Sequence, residues 1–235
     1  MTVRVRSLQG GKSLRLAFSD NFNRADSDSL GENWLTACWH ESGGAGADAA
    51  ADAIVASGEC KIRNIGADNP VGLYKMAFVP LPVYVNLQHR PKTFVQITWQ
   101  SGVAATAFLA GFGLRYNTTL QNGVGVNIAD MYGLFFNQLG NVGDLARITG
   151  AGQTTLITQA AFASTLVAGD TCRMNAEDTG ASIILTVFKN GVQIGTITDS
   201  AGNRILLGSP VMAHFDTAGI GVKSMNFDNF SCGIF

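Results

Sequence analysis

Residues 182–200, SIILTVFKNGVQIGTITDS, constrain this chain more than any other stretch. Two β-rich runs flank Asn190-Gly191. A two-residue type I′ turn needs positive φ at both central positions, and Asn followed by Gly meets that need at least steric cost. The stretch therefore predicts an antiparallel hairpin. Period-two patterns recur elsewhere. In Thr93–Trp99, Val95, Ile97 and Trp99 alternate with Phe94, Gln96 and Thr98. In Phe108–Tyr116, Phe108, Ala110, Phe112, Leu114 and Tyr116 form one set; in Pro82–His89, Val83, Val85 and Leu87 do. Alternation sends successive side chains to opposite faces, as in half-buried strands of packed antiparallel sheets. Helical periodicity is nearly absent. The Ala- and Gly-rich Gly43–Ala56 reads as a loop with one short helix, and Gln159–Leu166 offers a second.

At 235 residues and 46% hydrophobic, the chain can bury a sizeable core in one all-β domain. Charged residues are only 14%, against about 25% in ordinary soluble domains. So weakly charged a surface does little to keep neighbours away, which suggests a subunit that packs against others. The net charge of −1 supplies no overall field to steer the chain to nucleic acid or a membrane. Positive charge nevertheless clusters early: Arg4, Arg6, Lys12, Arg15 and Arg24, against Asp20 alone. Without interleaved aromatics this is a poor nucleic-acid signature and reads better as an extended arm.

Cys38, Cys60, Cys172 and Cys232 form no CxxC pair and no metal-finger spacing, so free, mostly buried thiols are expected. The first residues hold no continuous apolar core of a secretory signal. The uncharged stretch 93–114 is broken by Gln96, Thr98, Gln100, Ser101 and Gly102, so no membrane span is expected.

Motifs that would carry catalysis are missing. GGKS at 10–13 lacks the leading glycine of a phosphate loop, because Arg6 stands there. His40, His89 and His214 are isolated. Glycoside hydrolysis normally needs two carboxyls flanking the bond, and no strand carries a set such as E-x-D-x-x-E. Asp26, Asp28 and Glu32 cluster in a turn-like segment, but Leu30 takes a ligand position and no glutamate closes a calcium loop. Trp34, Trp39, Trp99, Tyr74, Tyr116 and Tyr132 are candidates to stack on sugars, with burial in the core as the plainer reading. No catalytic residue, cofactor or metal is expected.

Three segments carry a resemblance: FSDNFNRADSDSLGENW (18–34), AGDTCRMNAEDTGASIILTVFKNGVQIGTITDSA (168–201) and AGIGVKSMNFDNF (218–230). They show D-x-F-x-R with LG-x-x-W, then G-D-x-x-R and N-G-V, then G-I-G and F-D-N-F. SGECKIRN (57–64) is similar to a second strand of the same pattern. Together they resemble the concanavalin A-like, or laminin G-like, jelly roll of bacterial and bacteriophage proteins. The resemblance implies a two-sheet antiparallel jelly-roll sandwich over 18–235, with first and last strands side by side. In calcium-dependent branches, acids near those strands bind metal, and Asp20 and Asp228 could correspond.

Residues 1–17 lie outside the resemblance. As an N-terminal arm bearing Val3, Arg4, Val5, Arg6, Lys12 and Arg15, they could add a strand to a neighbour's sheet edge. The expected function is therefore a non-catalytic bacteriophage virion protein, a capsid-decoration or tail-associated subunit made in the host cytoplasm. Its partners would be other virion subunits in a homo-oligomeric or multi-copy assembly. The alternative is a carbohydrate-binding, lectin-like module for host surface glycans. An enzyme acting on sugars ranks last.

Overall fold

The structure, a computed structural model, describes residues 14–40, 51–64, 74–80, 90–103, 108–117, 130–136, 141–149, 152–216 and 223–235. In chain order the strands begin with β1 (Arg15–Asp20), β2 (Trp34–His40), β3 (Ala51–Ala56), β4 (Glu59–Asn64) and β5 (Tyr74–Pro80). They continue with β6 (Lys92–Val103), β7 (Phe108–Asn117), β8 (Asp130–Phe136), β9 (Val142–Thr149) and β10 (Gly152–Ile157). A single-turn helix, α1 (Gln159–Phe162), precedes β11 (Thr171–Asp178), β12 (Ile183–Lys189), β13 (Val192–Asp199), β14 (Ser209–Asp216) and β15 (Lys223–Ile234).

Two antiparallel sheets result. Sheet I runs β13-β12-β11-β6-β15-β4-β3, with β1 also paired to β15. Sheet II runs β10-β9-β8-β7-β14-β5-β2. The chain is an all-β jelly-roll sandwich, as the alternation and the matched segments imply.

The 183–199 hairpin forms as expected. Lys189 pairs with Val192 across a two-residue turn, with φ of 49° at Asn190 and 80° at Gly191. First and last strands lie side by side, Phe18 opposite Cys232 and Asp20 opposite Phe230. β15 has two neighbours along one flank: β4 beside 223–227 and β1 beside 230–234. Between them the register slips, and Asn229 takes φ of 50°. This bulge turns both Phe227 and Phe230 into the core, each fully buried.

The core lies between the sheets. Val95, Ile97 and Trp99 of β6 meet Met174 of β11, Leu185 of β12 and Phe227 on one side, with Phe112, Leu134 and Phe136 on the other. Phe112 and Leu114 keep the expected phase, but Arg115 adopts φ of 61° and the alternation stops there. Arg115 is buried and donates to the carbonyls of Leu206 and Pro91.

Of Gly43–Ala56, expected as a loop with one short helix, Ala51–Ala56 is instead strand β3; 43–50 lie outside the described residues. Val55 sits opposite Cys60, and the two-residue turn Ser57-Gly58, with φ of 57° and 77°, closes a hairpin. Burial of β-branched Ile54 and Val55 overrides the alanines' helix preference. The helix expected within Gln159–Leu166 is present as one turn. The strand expected over 82–89 falls outside the described residues.

The family-like segments have structural work to do. Asp20 Oδ1 accepts from the Phe22 N–H (2.8 Å) and from Arg24 (2.7 Å), while Oδ2 accepts from Trp34 Nε1 (2.8 Å). Arg24 also donates to the Leu30 carbonyl at 2.6 Å. Trp34 packs edge-on against Phe230 with ring centres 5.0 Å apart. D-x-F-x-R and LG-x-x-W are thus one knot that ties the entry segment to the last strand.

Candidate functional site

Strand register on the outer face of sheet I aligns side chains from five strands. Phe188 lies opposite Arg173, Arg173 opposite Gln96, Gln96 opposite Ser231, and Ser231 opposite Ser19. Each alternates with a core residue, for example Arg173 between Cys172 and Met174. The row Phe188–Arg173–Gln96–Ser231–Ser19 therefore crosses the sheet at right angles to the strands. Four inter-strand spacings make it roughly 19 Å long.

The row crosses a groove of about 760 Å³. Phe94 and Gln96 line it along β6, Thr171 and Arg173 along β11, and Leu16 with Ser19 along β1. The Asn190-Gly191 turn and Asn229 also line it. Phe94, one row further along, is 3% exposed.

Arg173 is the unusual member. Its guanidinium lies over the Phe188 ring, 4.3 Å from the ring centre. Its Nε is buried with no hydrogen-bond partner, and among the described residues no carboxylate pairs with it. Burial pushes its pKa below the ordinary arginine value, although a guanidinium stays charged in proteins. Asp20, the acid among the described residues of the groove's lining, is already held by Arg24 and Trp34. The groove thus offers an unpaired cation, an amide at Gln96 and hydroxyls at Ser19 and Ser231.

One wall is fixed by the G-D-x-x-R segment. The Asn190 side chain accepts from the Thr171 N–H (2.8 Å) and donates to Asp170 Oδ1 (2.6 Å). Lys189 Nζ lies 3.0 Å from Asp170 Oδ2. Burial alone would raise the Asp170 carboxyl. Hydrogen bonds from Val167, Asn190 and Lys189, with the Lys189 charge, outweigh it and hold the group below its usual value. The hairpin turn is therefore anchored to β11 rather than free.

The outer face of sheet II differs. Gly111 and Gly113 of β7 and Met131, Gly133 and Phe135 of β8 lie there, and Met131 and Phe135 are buried. Phe135 covers Gly133, where an added Cβ would come 2.6 Å from its Cζ. None of these positions carries a carboxyl group.

Several expectations from sequence are relocated. Arg15, placed in the arm, is the first residue of β1 and pairs with Ile234, because the strand continues outward past the matched segment. Val3, Arg4, Val5, Arg6 and Lys12 lie outside the described residues, as do GGKS and His89. Trp34, Trp99, Tyr116 and Tyr132 are 7%, 3%, 1% and 0% exposed, so none is a sugar platform; Trp99 faces the core with Val95 and Ile97. Asp26 Oδ1 accepts from the Ser57 N–H at 2.8 Å. Asp228 is bonded to Asn229, and among the described residues no group of three or more His, Cys, Asp or Glu is placed to hold a metal. Cys60, Cys172 and Cys232 are free and buried, as expected. Among the described residues, no helix is long and apolar enough to cross a membrane.

The Arg173–Phe188 pair was missed from sequence. Its signals were present: Arg173 ends G-D-x-x-R, and Phe188 falls in the outward phase of β12.

No family model matches the chain, and no curated protein matches its sequence significantly. Solved structures match its fold. An endo-1,3-β-glucanase from Streptomyces sioyaensis is 15% identical, with 96% of this chain and 98% of that chain covered and a TM-score of 0.52. The carbohydrate recognition domain of Emp46p is 9% identical over 94% of this chain and 100% of its own, at 0.51. The fold this chain has in common with them is a two-sheet antiparallel jelly roll. A sialidase is 13% identical at 0.50, covering 94% of this chain, which spans only 19% of that protein. At such identities the likeness is one of fold.

Proposed function

We propose that this chain is a carbohydrate-binding module whose ligand lies in the outer groove of sheet I. The observation that carries the reading is the transverse row in which Arg173, stacked on Phe188, stands beside the Gln96 amide and two serine hydroxyls. A sugar offers ring faces and many hydroxyls, and a site for it supplies a few fixed polar groups in a concavity. Strand register holds these groups on the rigid middle of a sheet. Proteins of the same fold include a carbohydrate recognition domain and a glucanase by their descriptions, which agrees with this reading.

Binding without cleavage is the form we favour. Hydrolysis needs two positioned carboxyls, whereas among the described residues the groove's lining includes one, Asp20, with both oxygens engaged. The virion-assembly reading has less behind it. Its arm residues, Val3 to Lys12, lie outside the described residues, and the fold neighbours above are not described as virion proteins.

Screening the protein on immobilised glycans, followed by calorimetry on any hit, tests the proposal. At least one glycan should bind, and Gln96→Ala should weaken it about tenfold, the loss of roughly one hydrogen bond's net worth. Absence of binding to every glycan, or a hit indifferent to Gln96→Ala, would overturn it.

A further inference from the structure

We infer that the groove's ligand is an acidic glycan whose carboxylate or sulfate is read by Arg173; this rests on the groove being the glycan site proposed above. Three observations on one residue converge. Arg173 faces the groove from β11, flanked by Phe188 and Gln96 in register. Its Nε is buried without a partner, as are those of Arg115, Arg147 and Arg204, but those three bond carbonyls or a carboxylate through their other nitrogens, and an unmet charged donor in a partly dry site is costly. No carboxylate among the described residues neutralises it, whereas four other described cations have close acids: Arg24 with Asp20, Lys92 with Glu177, Arg147 with Asp199 and Lys189 with Asp170.

The stacking on Phe188 bears on orientation. With one face against the ring, a guanidinium is left to act through its edge, where its N–H groups form a planar fork. Such a fork matches two oxygens of a carboxylate or sulfate and gives a short, charge-assisted pair. A neutral sugar hydroxyl would leave the positive charge uncompensated. The Gln96 amide next to it, without a side-chain partner among the described residues, can bond a hydroxyl on the adjoining part of the same ligand. The groove therefore distinguishes its ligand by charge at one end and by hydroxyl geometry along its length.

The test uses four probes on the intact chain: an oligogalacturonate, its methyl ester, a sulfated galactan oligosaccharide and a neutral glucan oligosaccharide. The oligogalacturonate, the sulfated oligosaccharide or both should bind at least tenfold more tightly than the uncharged probes, with affinity falling as salt rises. The relative strength of the two acidic probes separates carboxylate from sulfate as the anion read. Arg173→Gln should remove the preference while leaving weak binding, and Arg173→Lys should keep part of it. Because Arg173→Gln also unstacks Phe188, Gln96→Glu provides a second variant: it sets a carboxylate beside an intact Arg173 and should abolish binding of acidic probes. Thermal melting checks that both variants are folded. Equal binding of acid and methyl ester, or an acidic preference that survives both variants, would overturn the inference while leaving a glycan site standing. Failure of all glycans in the wider screen would remove the site itself.

Discussion

The hydroxyl of Tyr132, on sheet II, donates to Asp199 Oδ2 on sheet I at 2.7 Å. Arg147 holds the same carboxylate through Nη1 at 2.6 and 2.8 Å, and the Ile205 N–H donates back to the tyrosine oxygen at 3.1 Å. All of this is buried, with the Asp199 side chain only 4% exposed. Burial would raise the Asp199 carboxyl, but Tyr132, Arg147 and the Ala201 N–H bond its charged form and hold it below the usual value. A depressed carboxyl stabilises the fold above its unfolded pKa, and that stability is lost as pH falls through the folded value. Asp199→Asn should cost on the order of 3–5 kcal/mol at pH 7, because Arg147 is left buried and unpaired. The gap from wild type should narrow between roughly pH 5 and pH 2. Urea midpoints across that range measure it; a gap independent of pH would refute the linkage.

Burial, then the hydrogen bond to Asp199, raises the Tyr132 phenol well above its ordinary value. A raised group stabilises fully below its unfolded pKa, near ~10, and the contribution is lost as pH rises towards the folded value. Tyrosine absorbance during alkaline titration should therefore show Tyr132 ionising only as the protein unfolds. Early ionisation with the fold intact would contradict this.

Asp20 should be the costliest acid near the start of the chain. Its two oxygens satisfy Phe22, Arg24 and Trp34 at the seam where β1 meets β15. Asp20→Ala should lower stability by about 2–3 kcal/mol, as three donors lose their acceptor. Asp28→Ala, at an exposed position, should change it by less than about 0.5 kcal/mol. Equal denaturation midpoints for the two variants would discard the knot as an account of D-x-F-x-R.

Gly195 of β13 lies beneath Phe162 of α1, where an added Cβ would come 2.5 Å from Cε1. Gly195→Ala should lift the helix from the sheet edge at about 1–3 kcal/mol. Hydrogen exchange should speed up around 159–166 and little elsewhere. Uniform exchange changes would argue against a local contact.

Cys60, Cys172 and Cys232 are fully buried, and burial above all pushes each thiol upward. Thiolates are the reactive form, so these three should resist alkylation at pH 8 until denaturant is added. Mass mapping of labelled peptides checks this, and rapid native labelling of any of the three would be inconsistent with it.

Local features of this molecule were legible in the sequence, and transverse ones were not. Asn190-Gly191 specifies its turn through two adjacent residues, and Val95, Ile97 and Trp99 announce a core face by spacing alone. β3 was not legible, because its alanines favour a helix and only pairing with β4 decides the matter. The groove row joins Ser19 to Ser231 through Gln96 and Arg173, and no spacing along the chain encodes that register. The aromatics follow the plainer reading, burial in the core: Trp34 and Tyr132 find hydrogen bonds for their polar atoms inside the molecule, so they have no need of the surface.

β15 is inserted in the middle of sheet I, between β6 on one side and β4 with β1 on the other. Until residues 223–234 leave the ribosome, β6 with β11–β13 and the β3–β4 hairpin remain separate half-sheets with unpaired edges. Such edges invite wrong pairing, and the joining contacts are long-range and slow to form. Ser231 arrives with that same strand, so the groove comes into being only once β15 is in place. Ligand binding would therefore report on whether β15 has been correctly inserted between the two half-sheets.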